Sequence, residues 1–207
     1  MRNYTLILPV LLSLGFFAGC ASGPRVTYVD GGSQRDLSGR WNAANVRTVC
    51  DTLIAGCLGS PRVDAFVENF RRGHGGRLPA VVIGEFTNAT SEHIDTGIIV
   101  RQMELAIDSS GKLQFAAGGA VLDSLRTERQ GQLGWASEES ALALANETGA
   151  NLMLTGTIRS IVDRAGGRQN SSYFVSAELW DIESRIRLWI GEDSSINKQI
   201  EYPSYRP

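Results

Sequence analysis

Ser91, Glu92 and His93 lie side by side and together supply the residue types of a hydrolytic triad. In such a triad a histidine base activates a serine nucleophile, and a carboxylate orients the base. Neighbouring side chains in an extended loop point to alternate sides, however, so these three residues cannot converge on one another. Catalysis would need distant partners that the sequence does not identify. We therefore predict that the loop is held by local hydrogen bonds or serves as a recognition surface.

The other residues that could support catalysis or metal binding are no better placed. The second histidine is His74, and no cluster of cysteines and histidines has the spacing of metal ligands. Glu138 and Glu139 fall where a predicted helix begins, and there the helix dipole favours negative charge without any catalytic role. No nucleotide-binding, zinc-protease or serine-hydrolase motif occurs. The sequence predicts a binding protein that is not an enzyme and has no cofactor, metal or small-molecule substrate.

The first residues have the pattern of an export signal. Arg2 precedes an apolar run from Leu6 to Phe17, which as a helix would rise only about 20 Å against a hydrocarbon core of about 30 Å. The run is too short to span a membrane, and we interpret residues 1–19 as a signal peptide. Two small residues directly before Cys20 resemble the bacterial lipobox, at which the thiol is acylated and the leader is removed. The alternative is an ordinary secreted protein with a free Cys20.

Acylation of Cys20 would hold the protein at a membrane. Each buried methylene of the acyl chains contributes about 0.8 kcal/mol, so two or three chains make the attachment effectively permanent. Ala21 follows the cysteine, whereas an aspartate there would resemble an inner-membrane retention signal. We therefore expect a lipid anchor at the periplasmic face of the outer membrane.

Cys50 and Cys57 are the two cysteines that remain. On one helix they would lie about 10 Å apart, which exceeds the limit of about 7 Å for a disulfide. We predict that both are buried thiols.

Composition predicts one ordinary globular domain. The chain has 207 residues, of which 43% are hydrophobic and 20% charged, and its formal net charge is −2. This is enough apolar material for one core, and the charge gives no sign of a nucleic-acid partner. We expect a flexible tether over residues 20–35, a single α+β domain over residues 36–196 and a loose polar tail over residues 197–207.

Rigid elements must hold the polar loop from both sides. Apolar and β-branched residues predict a buried strand from Ala80 to Thr87. Apolar residues at helical spacing predict a helix that begins at Asp95. A strand that is apolar on both faces belongs inside a sheet, so the loop lies at the end of that sheet, where binding surfaces are common.

Helices precede this unit and strands follow it. Asn42 is the predicted N-cap of a helix that Gly59 ends, and Ser60 caps a second helix with Pro61 at its first position. Farther along the chain we predict a short strand, two helices and three alternating strands, over residues 112–117, 121–129, 137–149, 152–162, 172–182 and 186–190. The predicted fold is α+β, with a mixed, largely antiparallel sheet and helices packed mainly on one face.

Four short stretches follow the order of a known family: Leu37 to Asn42, Asn88 to Thr96, Ala136 to Glu139 and Gly149 to Asp163. Together they resemble the LpoB family of penicillin-binding-protein activators. The resemblance implies a periplasmic domain that docks on a non-catalytic domain of a class A penicillin-binding protein, a peptidoglycan synthase, and raises its activity. Such an activator does no chemistry itself, and it must bind the active conformation of the synthase better than the resting one.

The contact surface is predicted from two places in the chain. One is the start of the first helix, because arginine and aromatic side chains there are typical interface anchors. The other is the polar loop between rigid elements. The predicted contact residues are Arg40, Trp41, Ser91, Glu92, His93 and Ile94. The alternative for Trp41 is structural, as a staple that holds the first helix on the core.

Two other functions stay open. The α+β domain is also similar to the soluble part of the curli-export pore family, which would make the chain a secretion or envelope-assembly lipoprotein. A pore needs extra lipid-facing strands of about ten residues, and the connection at Gly166 and Gly167 contains no such insertion. An enzyme that acts on the cell wall would instead show activity of the isolated domain that depends on His93.

Overall fold

Three helices and six strands make up the part of the chain that the computed structural model describes, residues 38–116 and 148–202. In chain order they are α1 Ala43–Leu58, α2 Pro61–Gly73, β1 Ala80–Asn88, α3 Thr96–Ser110, β2 Gln114–Phe115, β3 Leu152–Ala165, β4 Arg168–Asp181, β5 Arg187–Asp193 and β6 Asn197–Glu201. The predicted signal peptide, Cys20 and the tether lie outside the described residues. So do the helix predicted over residues 121–129 and nearly all of the one predicted over 137–149.

Capping explains where α1 begins. The Asn42 side chain accepts hydrogen bonds from the backbone N–H groups of Ala44 and Asn45, at 3.0 and 3.1 Å. In return, the Asn45 side chain accepts from the backbone N–H of Asn42 at 3.1 Å, which completes a capping box. Gly59 ends the helix. Both predicted ends of α1 are confirmed.

α2 begins as predicted at Pro61, but Ser60 makes no side-chain capping bond. Proline fixes a helical φ at this position, and Asp64 in the first turn complements the helix dipole. The start of α2 therefore does not depend on the serine hydroxyl.

β1 and α3 hold the polar loop between them, as the sequence predicts. Residues 81–84 of β1 are buried, because the strand lies between β2 and β3 in the sheet. The Asp95 side chain accepts a hydrogen bond from the backbone N–H of Gly97 at 2.9 Å and so caps α3. At its other end, α3 stops at Gly111, which has a left-handed φ of 63°.

The strands form one mixed sheet in the order β2-β1-β3-β4-β5, and β6 also pairs with β4. β1 is parallel to β2 and β3, and all other pairs are antiparallel. β5 pairs with residues 175–180 of β4 and β6 with residues 168–172, so both lie along the edge of β4 that faces away from β3. This arrangement confirms the predicted α+β class with a mixed, largely antiparallel sheet.

The β3–β4 hairpin is the longest feature of the sheet. Each strand has 14 residues, and only Gly166 and Gly167 connect them, with φ values of 55° and 76°. Two successive positive φ angles are the mark of a tight type I′ turn, which matches the twist of the paired strands. The two glycines lie in the connection between the strands, as predicted, but both strands extend closer to them than the predicted bounds of 162 and 172.

One boundary prediction is wrong. The segment from Asn197 reads as a polar tail, but Asn197–Glu201 forms β6. Its backbone pairs with β4, and Lys198 is buried with its Nζ donating to the carbonyl oxygen of Arg40 at 2.6 Å. The strand is thus stabilised by backbone pairing and by polar contacts, which also include an ion pair between Arg168 Nε and Glu201 Oε1 at 3.1 Å. Contacts of this kind need no alternation of hydrophobic residues in the sequence.

Most buried side chains lie between the helices and one face of the sheet. This cluster includes Val49, Leu53, Ile99, Met103, Ile107, Leu152, Leu154, Ile158, Val175 and Leu179. A smaller cluster contains Val82, Ala116 and Ala150. Val82 and its neighbours in sequence alternate between the two faces of β1, so this second cluster lies on the opposite face.

Cys50 and Cys57 are free, buried thiols in the main cluster, as predicted. Burial raises the pKa of Cys50 to about 12, with a further contribution from the neighbouring charge of Asp51. Burial alone raises the pKa of Cys57 to about 12. Both thiols are therefore protonated at neutral pH and behave as small apolar side chains.

Candidate functional site

Glu92 connects three distant parts of the chain. Its Oε1 accepts a hydrogen bond from the Tyr173 hydroxyl at 2.5 Å, and its Oε2 accepts from the backbone N–H of Trp41 at 3.1 Å. The carboxylate thus joins the β1–α3 loop to β4 and to the residue that precedes the cap of α1. We call Trp41, Glu92 and Tyr173 the Glu92 anchor.

Ring packing completes the Glu92 anchor. The Trp41 and Tyr173 rings lie 5.2 Å apart between centroids and are tilted by 59°, a favourable aromatic geometry. Trp41 also packs against the main cluster. Its indole Nε1 is buried and has no hydrogen-bond partner among the described residues. Trp41 therefore fixes the start of α1 through its backbone N–H and its ring face.

The loop between β1 and α3 is held by its own polar groups. The Asn88 Oδ1 accepts from both the backbone N–H and the hydroxyl of Thr90, at 3.0 and 2.8 Å. The Asn88 Nδ2 donates to the Glu92 carbonyl at 2.8 Å, and the Glu92 N–H donates to the Thr90 hydroxyl at 3.1 Å. These bonds define one loop conformation before any partner is present.

The predicted contact residues divide by exposure. Ser91 and His93 are exposed, Glu92 is half-buried and points inward, and Ile94 is only 8% exposed. All four are described, and no hydrogen bond joins the side chains of Ser91, Glu92 and His93 to one another. Ile94 holds the loop from inside, while Ser91 and His93 form its outer surface.

Arg40 brings a positive charge to the same region. It is exposed, while its carbonyl oxygen accepts the Lys198 bond that secures β6. Because the next residue, Trp41, bonds to Glu92, Arg40 is placed beside the Glu92 anchor. The structure thus brings both predicted parts of the contact surface together.

Tyr173 is the member of this site that sequence reasoning missed. Burial raises the pKa of its hydroxyl, and the hydrogen bond to Glu92 and the charge of that carboxylate raise the pKa further. The phenol therefore remains a donor at neutral pH. Tyr173 occupies an inward position in the alternating pattern of β4. Because a buried tyrosine hydroxyl needs a hydrogen-bond partner, this position could have indicated a polar contact here.

The described residues show little that would support other kinds of site. Within residues 38–116 and 148–202, no three His, Cys, Asp or Glu side chains come together as metal ligands. Among the helices described, none has both the length and the apolar character that crossing a membrane requires. In the Glu92 anchor itself, the carboxylate accepts hydrogen bonds from two donors and so holds three segments of the chain together.

Fold and site together define a class of protein: a small α+β domain in which a half-buried carboxylate fixes a polar loop at the end of a mixed sheet. The chain belongs to the LpoB family, described as peptidoglycan-synthase activator LpoB, whose family model matches residues 45–195. The match contains the loop and Tyr173 but begins after Arg40 and Trp41. Among curated proteins, no sequence matches the chain.

Several solved structures are similar to this chain at low sequence identity. The C-terminal domain of LpoB from Escherichia coli is 13% identical, with a TM-score of 0.50 over 76% of this chain and 98% of that one. The corresponding domain from Salmonella enterica is 12% identical, with a TM-score of 0.49 over 72% and 97%. A lipoprotein from Neisseria meningitidis is 17% identical, with a TM-score of 0.43 over 58% and 83%.

Proposed function

We propose that this chain is an outer-membrane lipoprotein that binds a class A penicillin-binding protein and raises its peptidoglycan synthesis. The observation that carries the proposal is the match of residues 45–195 to the LpoB family of synthase activators. The chain itself performs no reaction in this scheme. Its partner is the non-catalytic docking domain of the synthase.

Activation of this kind is allosteric. The activator shifts the synthase toward its active conformation only if it binds that conformation more tightly than the resting one. A surface that is already ordered loses little conformational entropy on binding, so more of the contact energy remains for that discrimination. The bonds of Asn88, Thr90 and Glu92 provide such order in the loop.

The proposed contact surface comprises Arg40, Ser91 and His93, placed by the Glu92 anchor. Arginine is enriched at interface centres because its fork can pair with carboxylates and its plane can stack on aromatic rings. Glu92, Trp41 and Ile94 serve as positioning residues in this scheme, because their side chains face inward. Attachment to the membrane is through acylated Cys20, after removal of residues 1–19.

Binding and stimulation by purified proteins test the proposal. The full lipidated chain, in detergent, is mixed with each class A penicillin-binding protein of the cell that makes it, and both the Kd and the glycan-polymerisation rate are measured. We expect binding and a faster rate with at least one synthase. If no synthase binds or responds, the proposed function is wrong.

Paired variants test the contact surface. Arg40→Ala with His93→Ala removes the exposed charge and ring, and we expect the Kd to rise about tenfold or more. Arg62→Ala with His74→Ala is the matched control, since these residues have the same types and are also exposed, on and just after α2. Equal Kd values for the two pairs would exclude this surface and leave synthase binding to another face.

A further inference from the structure

β3 continues beyond the strand that covers its edge. β1 pairs with β3 as far as Asn88 opposite Ile158, and the backbone N–H of Ala89 makes the last bond, to the Ile158 carbonyl at 2.8 Å. β3 then runs on to Ala165, and there it pairs, among the described strands, only with β4 on its other side. Along residues 160–165, no described residue pairs with the edge of β3 that β1 leaves.

The register shows which backbone groups face this free edge. A two-residue turn makes Ala165 and Arg168 a hydrogen-bonded pair, and the pattern then repeats at every second residue of β3. The intervening residues Ser160, Val162 and Arg164 therefore direct their N–H and C=O groups outward. The bond from Ala89 to Ile158 fits this phase, because Ile158 belongs to the outward set. Six backbone groups thus line the free edge.

Side chains beside the free edge suit a bound strand. Ile161 is 63% exposed, and Arg159 and Asp163 flank it on the same face of the sheet, both exposed. Exposed apolar residues on an unpaired edge are unusual, because such edges invite pairing with another chain. Neither Arg159 nor Asp163 forms an ion pair with a described residue.

We propose that an extended segment of the partner adds to the sheet as a strand along Ser160 to Ala165. Backbone hydrogen bonds to the six outward groups supply affinity, and side chains on alternating positions supply specificity. The segment carries an apolar residue opposite Ile161 and a basic residue opposite Asp163. This inference rests on the proposed function and specifies how the synthase is held.

A second copy of the chain does not fit this edge well. In a two-fold pair the strands run antiparallel, and Asn88 already occupies the place opposite Ile158. Any register with a longer overlap would put the second copy's hairpin on Asn88. One register avoids this collision and still forms two hydrogen-bonded pairs. It places Val162 of one copy opposite Arg164 of the other, so that the two Asp163 residues face each other. Like charges directly opposite each other are destabilising.

The free edge continues the proposed contact surface. It begins where the polar loop leaves the sheet, and Ser160 lies directly opposite Tyr173 of the Glu92 anchor in the β3–β4 register. A partner segment that ends near Ser160 would therefore meet the loop. One partner can contact both features.

Amide hydrogen exchange tests strand addition directly. The full lipidated chain is studied with and without the synthase that it binds, and exchange is measured at single-residue resolution. We expect slower exchange at Ser160, Val162 and Arg164 in the complex, because their N–H groups become bonded. Ile161 and Asp163 are the internal control, since their N–H groups already bond to β4.

A matched pair of variants gives the second readout. Ile161→Lys places a charge on the free edge, and we expect the Kd to rise about tenfold. Ile190→Lys is the control, because Ile190 is 53% exposed and lies on β5, away from that edge. Synthase binding without new protection, together with equal Kd values for the two variants, overturns strand addition and leaves the proposed function intact. Failure of the unmodified chain to bind any synthase overturns both.

Discussion

The two halves of the β3–β4 hairpin differ in burial, although one continuous pair of strands forms both. In the half near β1, Leu152, Leu154 and Ile158 are fully buried under the helices. In the half near the turn, Asp163 to Ala165 are exposed and Ile161 is the most exposed large apolar side chain among the described residues. The backbone pairing is continuous through both halves. The first half therefore belongs to the hydrophobic core. The second half, which we call the arm, lies outside that core and pairs with β6 on its β4 side.

The Glu92 anchor lies at the boundary between these halves. Tyr173 belongs to β4 at the level of Ser160, just past the last buried residue of β3. Its hydroxyl and the Trp41 backbone N–H converge on one carboxylate. The apolar packing of the core ends at this boundary. A polar contact between distant segments of the chain lies there instead.

The largest expected contrast compares one apolar residue from each half. Leu154→Ala removes a side chain with no exposed surface and should lower the free energy of unfolding by about 2–5 kcal/mol. Ile161→Ala removes an exposed side chain and should change it by about 0.5 kcal/mol or less. Urea denaturation of both variants measures the difference. Similar losses at the two positions would show that the arm is part of the core.

The next effect concerns the boundary itself. Glu92→Ala leaves the buried Tyr173 hydroxyl and the Trp41 N–H without their acceptor and should cost about 1–3 kcal/mol. Glu85→Ala is the matched control, because Glu85 is an exposed residue of β1. The same denaturation experiment reports both values. A loss no greater than that of the control would mean that the anchor contributes nothing to stability.

The smallest effect is a dependence on pH. Because the pKa of Tyr173 is higher in the folded state, its protonated form favours folding. That contribution is complete below the unfolded pKa of about 10 and decreases as the pH rises above it. Tyr173→Phe lacks the ionisable group, so the stability of the unmodified chain should fall more steeply than that of the variant above pH ~10. Parallel curves for the two proteins would contradict the assigned environment of Tyr173.

Local signals explain which parts of this fold the sequence predicts well. The capping of α1 by Asn42, the buried strand at Ala80 and the turn at Gly166 and Gly167 all depend on neighbouring residues. Each leaves a recognisable pattern, and each prediction is confirmed. The α+β class follows from their order along the chain.

Long-range contacts explain what the sequence did not reveal. β6 depends on pairing with β4 and on the bond from Lys198 to Arg40, which are 158 positions apart in the chain. The bond between Glu92 and Tyr173 spans 81 positions. Neither contact leaves a periodic pattern in the sequence. The sequence therefore predicted a tail where β6 forms, and it predicted the polar loop without the bond from Tyr173 to Glu92.

The hydrogen bonds at Arg40 and Trp41 have a mechanical consequence. Any tension carried by the residues before Ser38 enters the domain at this point and acts first on the Lys198 bond to the Arg40 carbonyl and the Glu92 bond to the Trp41 N–H. These two hydrogen bonds would bear the tension before it acts on α1. Such tension would therefore act on the polar loop before it reached the hydrophobic interior.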